Sequence, residues 1–268
     1  MTSDGVPALP FTSTSRQGPE CDPASDPQAA AAAGKEPWQR RVVAPLLIVL
    51  VALFTVTLHV HSYTLVGPVD ELQHIDYLYK SPAIVRSGDQ IGEDAMREEA
   101  CRGLDFRPFT LPACSTTTQY SPRQFQENGY NTAAVNTPLY YSVTHLVAVV
   151  VMAVSPADDL VTAGRLVGGL WLSAGLLLTY AAGRRWGASR WALAPVLLVV
   201  ASVPAVVYPS AVISPDAATF AVGGAVLWSV LWWEERPARR WPLLALVTAL
   251  ALAMKLTNVT IVVAAALY

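Results

Sequence analysis

The stretch VVAPLLIVLVALFTVTLHVHS, residues 42–62, decides the fold class of this chain of 268 residues. It contains no Asp, Glu, Lys or Arg, and an apolar helix of this length can cross about 30 Å of hydrocarbon. Over the whole chain 53% of residues are hydrophobic and 14% are charged, whereas about a quarter are charged in soluble domains. The sequence therefore predicts an all-α, polytopic helical membrane protein and excludes an ordinary soluble enzyme.

The charge and the cysteine content exclude two further classes. The formal net charge of −2 offers no basic surface for nucleic acid, so we expect no nucleic-acid partner. Three cysteines are too few for a disulfide scaffold, and they lack the CxxC spacing of a structural zinc site.

Four segments follow from the pattern of apolar and polar residues. Pro, Ser, Ala and Gly dominate the start of the chain, which predicts a disordered tail. Arg40 and Arg41 precede the first apolar run, so the positive-inside rule places the tail in the cytoplasm and directs the helix outward. The segments are a cytoplasmic tail at 1–41, a first transmembrane helix at 42–62, an outer loop with juxtamembrane helices at 63–163 and a transmembrane bundle at 164–268.

The later apolar runs fix a predicted topology. The chain ends at Tyr268 inside an apolar run, so we expect it to be the N-terminal part of a longer protein with a truncated bundle. Arginines at 184–190 and at 236–240 place two turns in the cytoplasm. The runs lie at 138–155, 166–182, 191–210, 217–233, 241–254 and 256–268.

If the run 138–155 crossed the membrane, this topology would put the arginine turn at 184–190 on the outer side, against the positive-inside rule. We expect the run to lie along or dip into the outer leaflet, and a full crossing remains the alternative. His145, Tyr140 and Tyr141 within it suit a membrane interface.

The polar loop holds the only two cysteines that are close in sequence, Cys101 and Cys114. On the outer side of a membrane they could form a disulfide, and two unpaired thiols are the alternative. Cys21, in the predicted cytoplasmic tail, should stay reduced.

The predicted topology brings scattered polar residues to one outer face. A charged residue within a membrane segment costs about 2.5–3.5 kcal/mol on insertion scales, so such residues point to function. The candidates are Asp70 and Glu71 with His74 and Asp76 at the loop start, Arg165 at a helix start, Asp216 in Ser-Pro-Asp, and Lys255.

Each candidate has a functional and a structural interpretation. In the functional interpretation Asp70 and His74 share a helical face, with Asp70 as a general base and His74 as a metal or phosphate contact. In the structural interpretation Asp70 belongs to an acidic first turn that complements the helix dipole. Asp216 is a site carboxylate, a helix-start carboxylate, or both. Lys255 and Arg165 hold a phosphate, or they are basic residues at the membrane interface.

These residues, in this order, resemble the GT-C superfamily of membrane glycosyltransferases, which includes protein O-mannosyltransferases and aminoarabinose transferases. The resemblance covers about residues 42–268. It rests on VDELQH (69–74), NTPLYY (136–141), AGRL (163–166), GRRWG (183–187), SPDA (214–217) and KLT (255–257).

The resemblance implies an inverting transfer of a sugar from a polyprenyl-phosphate donor at the outer face of the cell membrane. It makes Asp70 the base, with Glu71 beside it, and Asp216 a second acidic residue of the site. Lys255 and Arg165 are the implied contacts of the donor phosphate. His74 is a candidate metal or phosphate contact, a divalent metal is a candidate cofactor, and the acceptor is a glycan, a protein or a lipid.

Two other classes stay open. A multi-pass transporter or lipid-linked-sugar flippase would line its path with Asp70, Asp216 and Lys255. A non-catalytic scaffold would use the outer loop to bind a partner. Consumption of the polyprenyl-phosphate sugar would distinguish a transferase from both.

Overall fold

The computed structural model describes residues 38–268 except 105, 107 and 108. Cys21 and nearly all of the predicted tail at 1–41 lie outside the described residues. Short 3-10 turns interrupt the described chain between its α-helices. The α-helices are α1 (Trp38–Ser62), α2 (Glu71–Lys80), α3 (Glu93–Arg102), α4 (Leu139–Val154), α5 (Leu160–Arg185), α6 (Arg190–Val200), α7 (Pro204–Ser210), α8 (Thr219–Glu234), α9 (Pro237–Met254) and α10 (Val259–Leu267).

Three helical segments are long and apolar enough to cross a membrane: Val42–Ser62, Leu160–Arg185 and Pro215–Glu234. Helices α6 and α7 together would make a fourth, but they are bent by 61°. The predicted fold class, an all-α polytopic membrane protein, is confirmed.

The bend between α6 and α7 interrupts the apolar run predicted at 191–210. Pro204 opens α7, and a proline at the first helical position has no N–H to continue the ladder of the preceding helix. The hydroxyl of Thr55 on α1 donates to the carbonyl oxygen of Ala201 at 2.9 Å. A side chain of α1 therefore satisfies a backbone acceptor at the break.

Helix α4, the predicted juxtamembrane segment, packs along α5. The two helices are joined by a short turn, and the indole N–H of Trp171 donates to the hydroxyl of Thr144 at 3.2 Å. Ala148 packs in the same apolar cluster as Ala163 and Val167, so the helices run antiparallel. With 16 residues α4 is about 24 Å long, short of the ~30 Å hydrocarbon layer. Its depth in the bilayer stays a prediction.

Helix α5 is the central element because its glycines let other segments approach closely. An added side-chain carbon at Gly175 would collide with the backbone of Phe220 and Ala221, at the start of α8. At Gly168 it would collide with the backbone of Ser210. Small residues at helix contacts commonly allow such close packing in membranes.

The loop between α1 and α4 forms a small packed unit. Leu72, Ile75 and Leu78 of α2 pack with Ala95 and Met96 of α3. Cys101 and Cys114 form a disulfide in the structure.

Charged side chains attach α3 of this loop to the start of α5. Arg102 bonds Glu98 at 2.7 Å and Asp159 at 2.6 Å. Asp159 caps α5 by accepting from the backbone N–H of Thr162 at 2.7 Å. The loop is therefore fixed directly to the central helix.

Glu99 is the loop carboxyl with the most perturbed environment. Its side chain is fully buried, and one carboxyl oxygen accepts from Gln126 at 2.6 Å. The other oxygen has no hydrogen-bond partner among the described residues. Burial raises the pKa of Glu99 to about 7, against the opposing effect of the Gln126 hydrogen bond. The fold therefore favours the protonated acid.

We expect the contribution of Glu99 to the free energy of unfolding to fall as pH rises from about 4.5, the ordinary pKa of Glu, to about 7. Over that range the unfolded chain has released the proton that the fold retains, so the stability present at low pH is lost. The loss is on the order of 3 kcal/mol. His74, whose pKa is lowered to about 4, contributes with the opposite sign below about 6.5. The difference between the thermal unfolding midpoints of the wild type and of Glu99→Gln, taken at pH 5 and again at pH 7.5, isolates the Glu99 contribution.

Glu99→Gln should remove the Glu99 contribution, so its midpoint should drop less, or rise more, than that of the wild type between pH 5 and pH 7.5. The matched control is Asp94→Asn, whose side chain on the same helix is 66% exposed. The same change of midpoint with pH in Glu99→Gln as in the wild type, or the Glu99→Gln behaviour in Asp94→Asn, would show that another group is responsible.

Candidate functional site

The start of α2 presents Asp70 to solvent. Asp70 is the N-cap residue and is exposed, with φ 53° and ψ 8° in the left-handed region. A non-glycine residue in this conformation carries strain, and such strain concentrates at functional sites. Within the described part of the chain, the Asp70 carboxylate has no hydrogen bond or ion pair. It is therefore available as an acceptor of a proton.

The next residue, Glu71, is buried in a pair with Arg165 of α5. The guanidinium bonds both carboxylate oxygens, Nε to Oε1 at 2.8 Å and Nη2 to Oε2 at 2.7 Å. Both side chains are at most 3% exposed. Such a bidentate pair combines charge with fixed geometry.

Backbone groups complete the hydrogen bonding of this pair. The carboxylate of Glu71 accepts from the N–H of Gly67 at 2.6 Å and of Ile213 at 3.1 Å. The guanidinium donates to the carbonyls of Tyr63 at 3.0 Å and Leu65 at 2.7 Å. The pair therefore connects the end of α1, the start of α2 and the segment before Asp216 to α5.

The structure thus does not bring Glu71 or Arg165 to an open surface. A phosphate contact was predicted for Arg165, but its guanidinium is occupied by one carboxylate and two carbonyls. Breaking a buried pair leaves an uncompensated charge, which costs about 3–5 kcal/mol. We therefore assign both side chains a positioning role.

Asp216 and Lys255, which are 39 residues apart, form an ion pair of 2.5 Å between Nζ and Oδ1. Asp216 lies in the 3-10 turn Pro215–Ala218, where the Ser214 hydroxyl accepts from its N–H and donates to its carboxylate. Lys255 lies at the break between α9 and the turn Leu256–Asn258. The side chains are 49% and 21% exposed, so the pair can be reached from solvent.

His74, one turn after Asp70 on α2, lies within electrostatic range of this pair. Burial and, to a smaller extent, the Lys255 ammonium lower the pKa of His74 to about 4, and the Asp216 carboxylate opposes both. The imidazole is therefore neutral at pH 7 and cannot act as a cation toward phosphate. It can still donate or accept one hydrogen bond.

Tyr141 orients this imidazole. Its hydroxyl lies 2.7 Å from Nδ1 of His74, and its ring stacks on Tyr77 with 4.0 Å between centroids. The sequence placed Tyr140, Tyr141 and His145 at a membrane interface, but both tyrosines are fully buried and His145 bonds the carbonyl of Leu78. These side chains therefore pack inside the protein, against α2 and α5, and the depth of α4 in the membrane stays a prediction.

Asp76, the remaining acidic candidate, supports the loop. Its buried carboxylate accepts from Lys80 at 2.7 Å, from the N–H of Gly92 at 2.7 Å and from Asn131 at 2.6 Å. Across the described residues no three His, Cys, Asp or Glu side chains come together as metal ligands. The charged groups that influence His74 electrostatically are Asp216 and Lys255, a carboxylate and a cation.

A cavity of about 600 Å³ lies against the Glu71–Arg165 pair. The end of α1, the start of the loop and the α6–α7 bend enclose it. Its polar lining includes His59, Tyr63 and Tyr208, and the rest is mostly apolar.

A family model described as predicted membrane protein (DUF2142) matches residues 107–268, more than half of the chain. The chain belongs to this family. The match includes Arg165, Asp216 and Lys255, and it begins after Asp70 and His74. No curated protein and no solved structure matches the chain.

Glu71→Ala or Arg165→Ala should each destabilise the protein by about 3–5 kcal/mol, because each leaves a buried charge without its partner. The thermal unfolding midpoint of the detergent-solubilised protein measures the effect. Arg97→Ala is the control, since Arg97 makes exposed ion pairs that contribute at most about 1 kcal/mol. An unchanged midpoint in the Glu71 or Arg165 variant would exclude the positioning role.

Proposed function

We propose that this protein is a GT-C type glycosyltransferase that moves a sugar from a polyprenyl-phosphate donor to an acceptor at the outer face of the membrane. One observation carries the proposal. Lys255 and Asp216, 39 residues apart, form an ion pair that acts electrostatically on the buried His74, from a third part of the chain. Asp70 is exposed one turn before His74. The resemblance to GT-C enzymes singles out Asp70, Asp216 and Lys255, and the fold supports a shared site.

In the proposed reaction the acceptor hydroxyl attacks the anomeric carbon of the donor while Asp70 takes its proton. The new bond joins the acceptor oxygen to the sugar, and the bond from the anomeric carbon to the phosphate oxygen breaks. The electron pair leaves with the polyprenyl phosphate. Attack from the face opposite the leaving group inverts the anomeric centre.

Lys255 would stabilise the negative charge on the departing phosphate. An ammonium has three donors, so Lys255 can bond Asp216 and a phosphate oxygen at once. Fixed charges aimed at the atoms where charge develops are usually the largest catalytic contribution. Asp216 would orient this ammonium, and neutral His74 would supply a hydrogen bond without adding charge.

The two ends of α5 support the proposed sidedness. Its 26 residues span about 39 Å, with Arg165 and the loop near one end and Arg184 and Arg185 at the other. Disulfides persist in oxidising compartments, and arginine-rich turns stay in the cytoplasm. The Cys101–Cys114 loop would accordingly face outward, with the N-terminus in the cytoplasm.

Single cysteines test this sidedness in intact cells. Val135→Cys, at a loop residue 83% exposed, should react with a membrane-impermeant maleimide. Ala238→Cys, in the exposed first turn of α9, should react only after permeabilisation. Cys21→Ser is the common background, and the native disulfide stays unreactive. Labelling of Ala238→Cys alone in intact cells would reverse the topology and remove the outer-face mechanism.

Asp70→Asn should reduce sugar transfer by about 10²–10⁴-fold, the contribution typical of a general base, and leave abundance and membrane insertion unchanged. The assay follows loss of radiolabelled polyprenyl-phosphate sugar in membranes that contain the protein as the cell makes it. Lys255→Met should impair transfer as well, while the control Asp94→Asn should not. Full activity in Asp70→Asn would exclude Asp70 as the base.

The α6–α7 bend favours the alternative of a transporter or flippase, because discontinuous helices are common in transporters. The bend also lines the cavity beside the Glu71–Arg165 pair. Movement of a lipid-linked sugar across vesicles without cleavage of its phosphate bond would support that alternative against the transferase.

A further inference from the structure

Two arginine-rich turns meet at the end of the bundle opposite the loop. One joins α5 to α6, and the other joins α8 to α9. Together they hold six arginines against two glutamates, a surplus of four positive charges. We call this surface the arginine face. Its charged residues are Arg184, Arg185, Arg190, Glu234, Glu235, Arg236, Arg239 and Arg240.

Glu235 holds the two turns together. Its carboxylate pairs with Arg185 at the end of α5 and with Arg240 of α9, the latter at 2.7 Å. Arg240 also donates to the carbonyl of Trp232 at 2.6 Å, and its guanidinium carbon lies 4.2 Å from the centroid of the Trp232 ring. These contacts fix the relative position of the turns and occupy Arg185 and Arg240.

Arg236 and Arg239 remain as exposed cations beside this scaffold. Neither side chain has an acidic or hydrogen-bonding partner within the described residues. Arg184 is also exposed and donates from one nitrogen to the carbonyl of Ala188 at 2.7 Å. The arginine face therefore presents several guanidinium groups that can bond an anion.

Exposed tryptophans surround these cations. Trp186, Trp191 and Trp241 are 63%, 76% and 60% exposed. Indole rings concentrate at the headgroup level of a bilayer, where the ring meets apolar chains and its N–H meets water. The aromatic rings place the arginine face at the depth of lipid phosphates and not in bulk water.

We infer that the arginine face binds the phosphodiester headgroup of an anionic membrane phospholipid. Guanidinium forks match phosphate oxygens in pairs, and basic groups between helix ends attract anionic headgroups. The flanking indoles pack against the glycerol and the upper acyl chains. This site lies at the far end of α5 from Asp70 and Lys255, so it is independent of the proposed transfer reaction.

Tryptophan fluorescence tests the inference. The purified full chain is titrated in detergent micelles with brominated phosphatidylglycerol and, separately, with brominated phosphatidylcholine, whose bromines quench nearby indoles. Each arginine near a headgroup contributes about fivefold in affinity. We expect the anionic lipid to be preferred at least fivefold, and Arg236→Gln/Arg239→Gln to reduce that preference by fivefold or more.

The matched control is Arg86→Gln/Arg123→Gln, which removes the same charge from exposed loop positions. It should keep the full preference, and unchanged thermal midpoints should show that both double variants fold. Equal quenching by the two lipids would overturn the inference, as would an equal loss in the control. Complete competition by inorganic phosphate at the same concentration would also overturn it, because a free anion would then suffice.

Discussion

The loop end of the fold depends on one interaction, the buried ion pair between Glu71 and Arg165. Two charges stay inside a protein only where geometry and hydrogen bonds offset their desolvation. Here four backbone groups from two segments, the connection 63–67 and Ile213, supply those bonds. Asp70 immediately precedes Glu71, and Asp216 lies three residues after Ile213. The pair therefore determines where both exposed carboxylates are held relative to α5.

Much of this fold could be predicted from hydropathy alone. The run at 42–62, the long polar loop and the apolar helices that follow are local patterns, since an apolar segment of sufficient length has few alternatives to a membrane helix. The Glu71–Arg165 pair could not be predicted in the same way, because its partners are 94 residues apart. The sequence shows both charges, but only the packing of α2 against α5 decides that they neutralise each other.

The candidate site was likewise predictable from sequence only in part. The predicted topology placed Asp216, Lys255 and His74 on a common face, and in the structure Asp216 and Lys255 form an ion pair that influences His74 electrostatically. The topology could not indicate that Tyr141 orients His74, because that contact depends on how α4 turns its tyrosines toward α2. The pair of tyrosines is equally typical of an interface helix and of a buried polar contact, so composition could not distinguish the two.

Arg165 is fully paired near one end of α5, whereas Arg236 and Arg239 beside the other end have no partners in the part of the chain that the structure describes. The cost of desolvation explains the difference. Near Arg165 the surroundings exclude water, so a guanidinium persists there only with its full set of partners. At the arginine face a headgroup layer and water are within reach, so Arg236 and Arg239 can remain without protein partners at little cost. Asp70 at the loop end is likewise exposed, and its carboxylate has no partner among the described residues. For that reason the proposed proton transfer is assigned to Asp70 and not to the buried, fully paired Glu71.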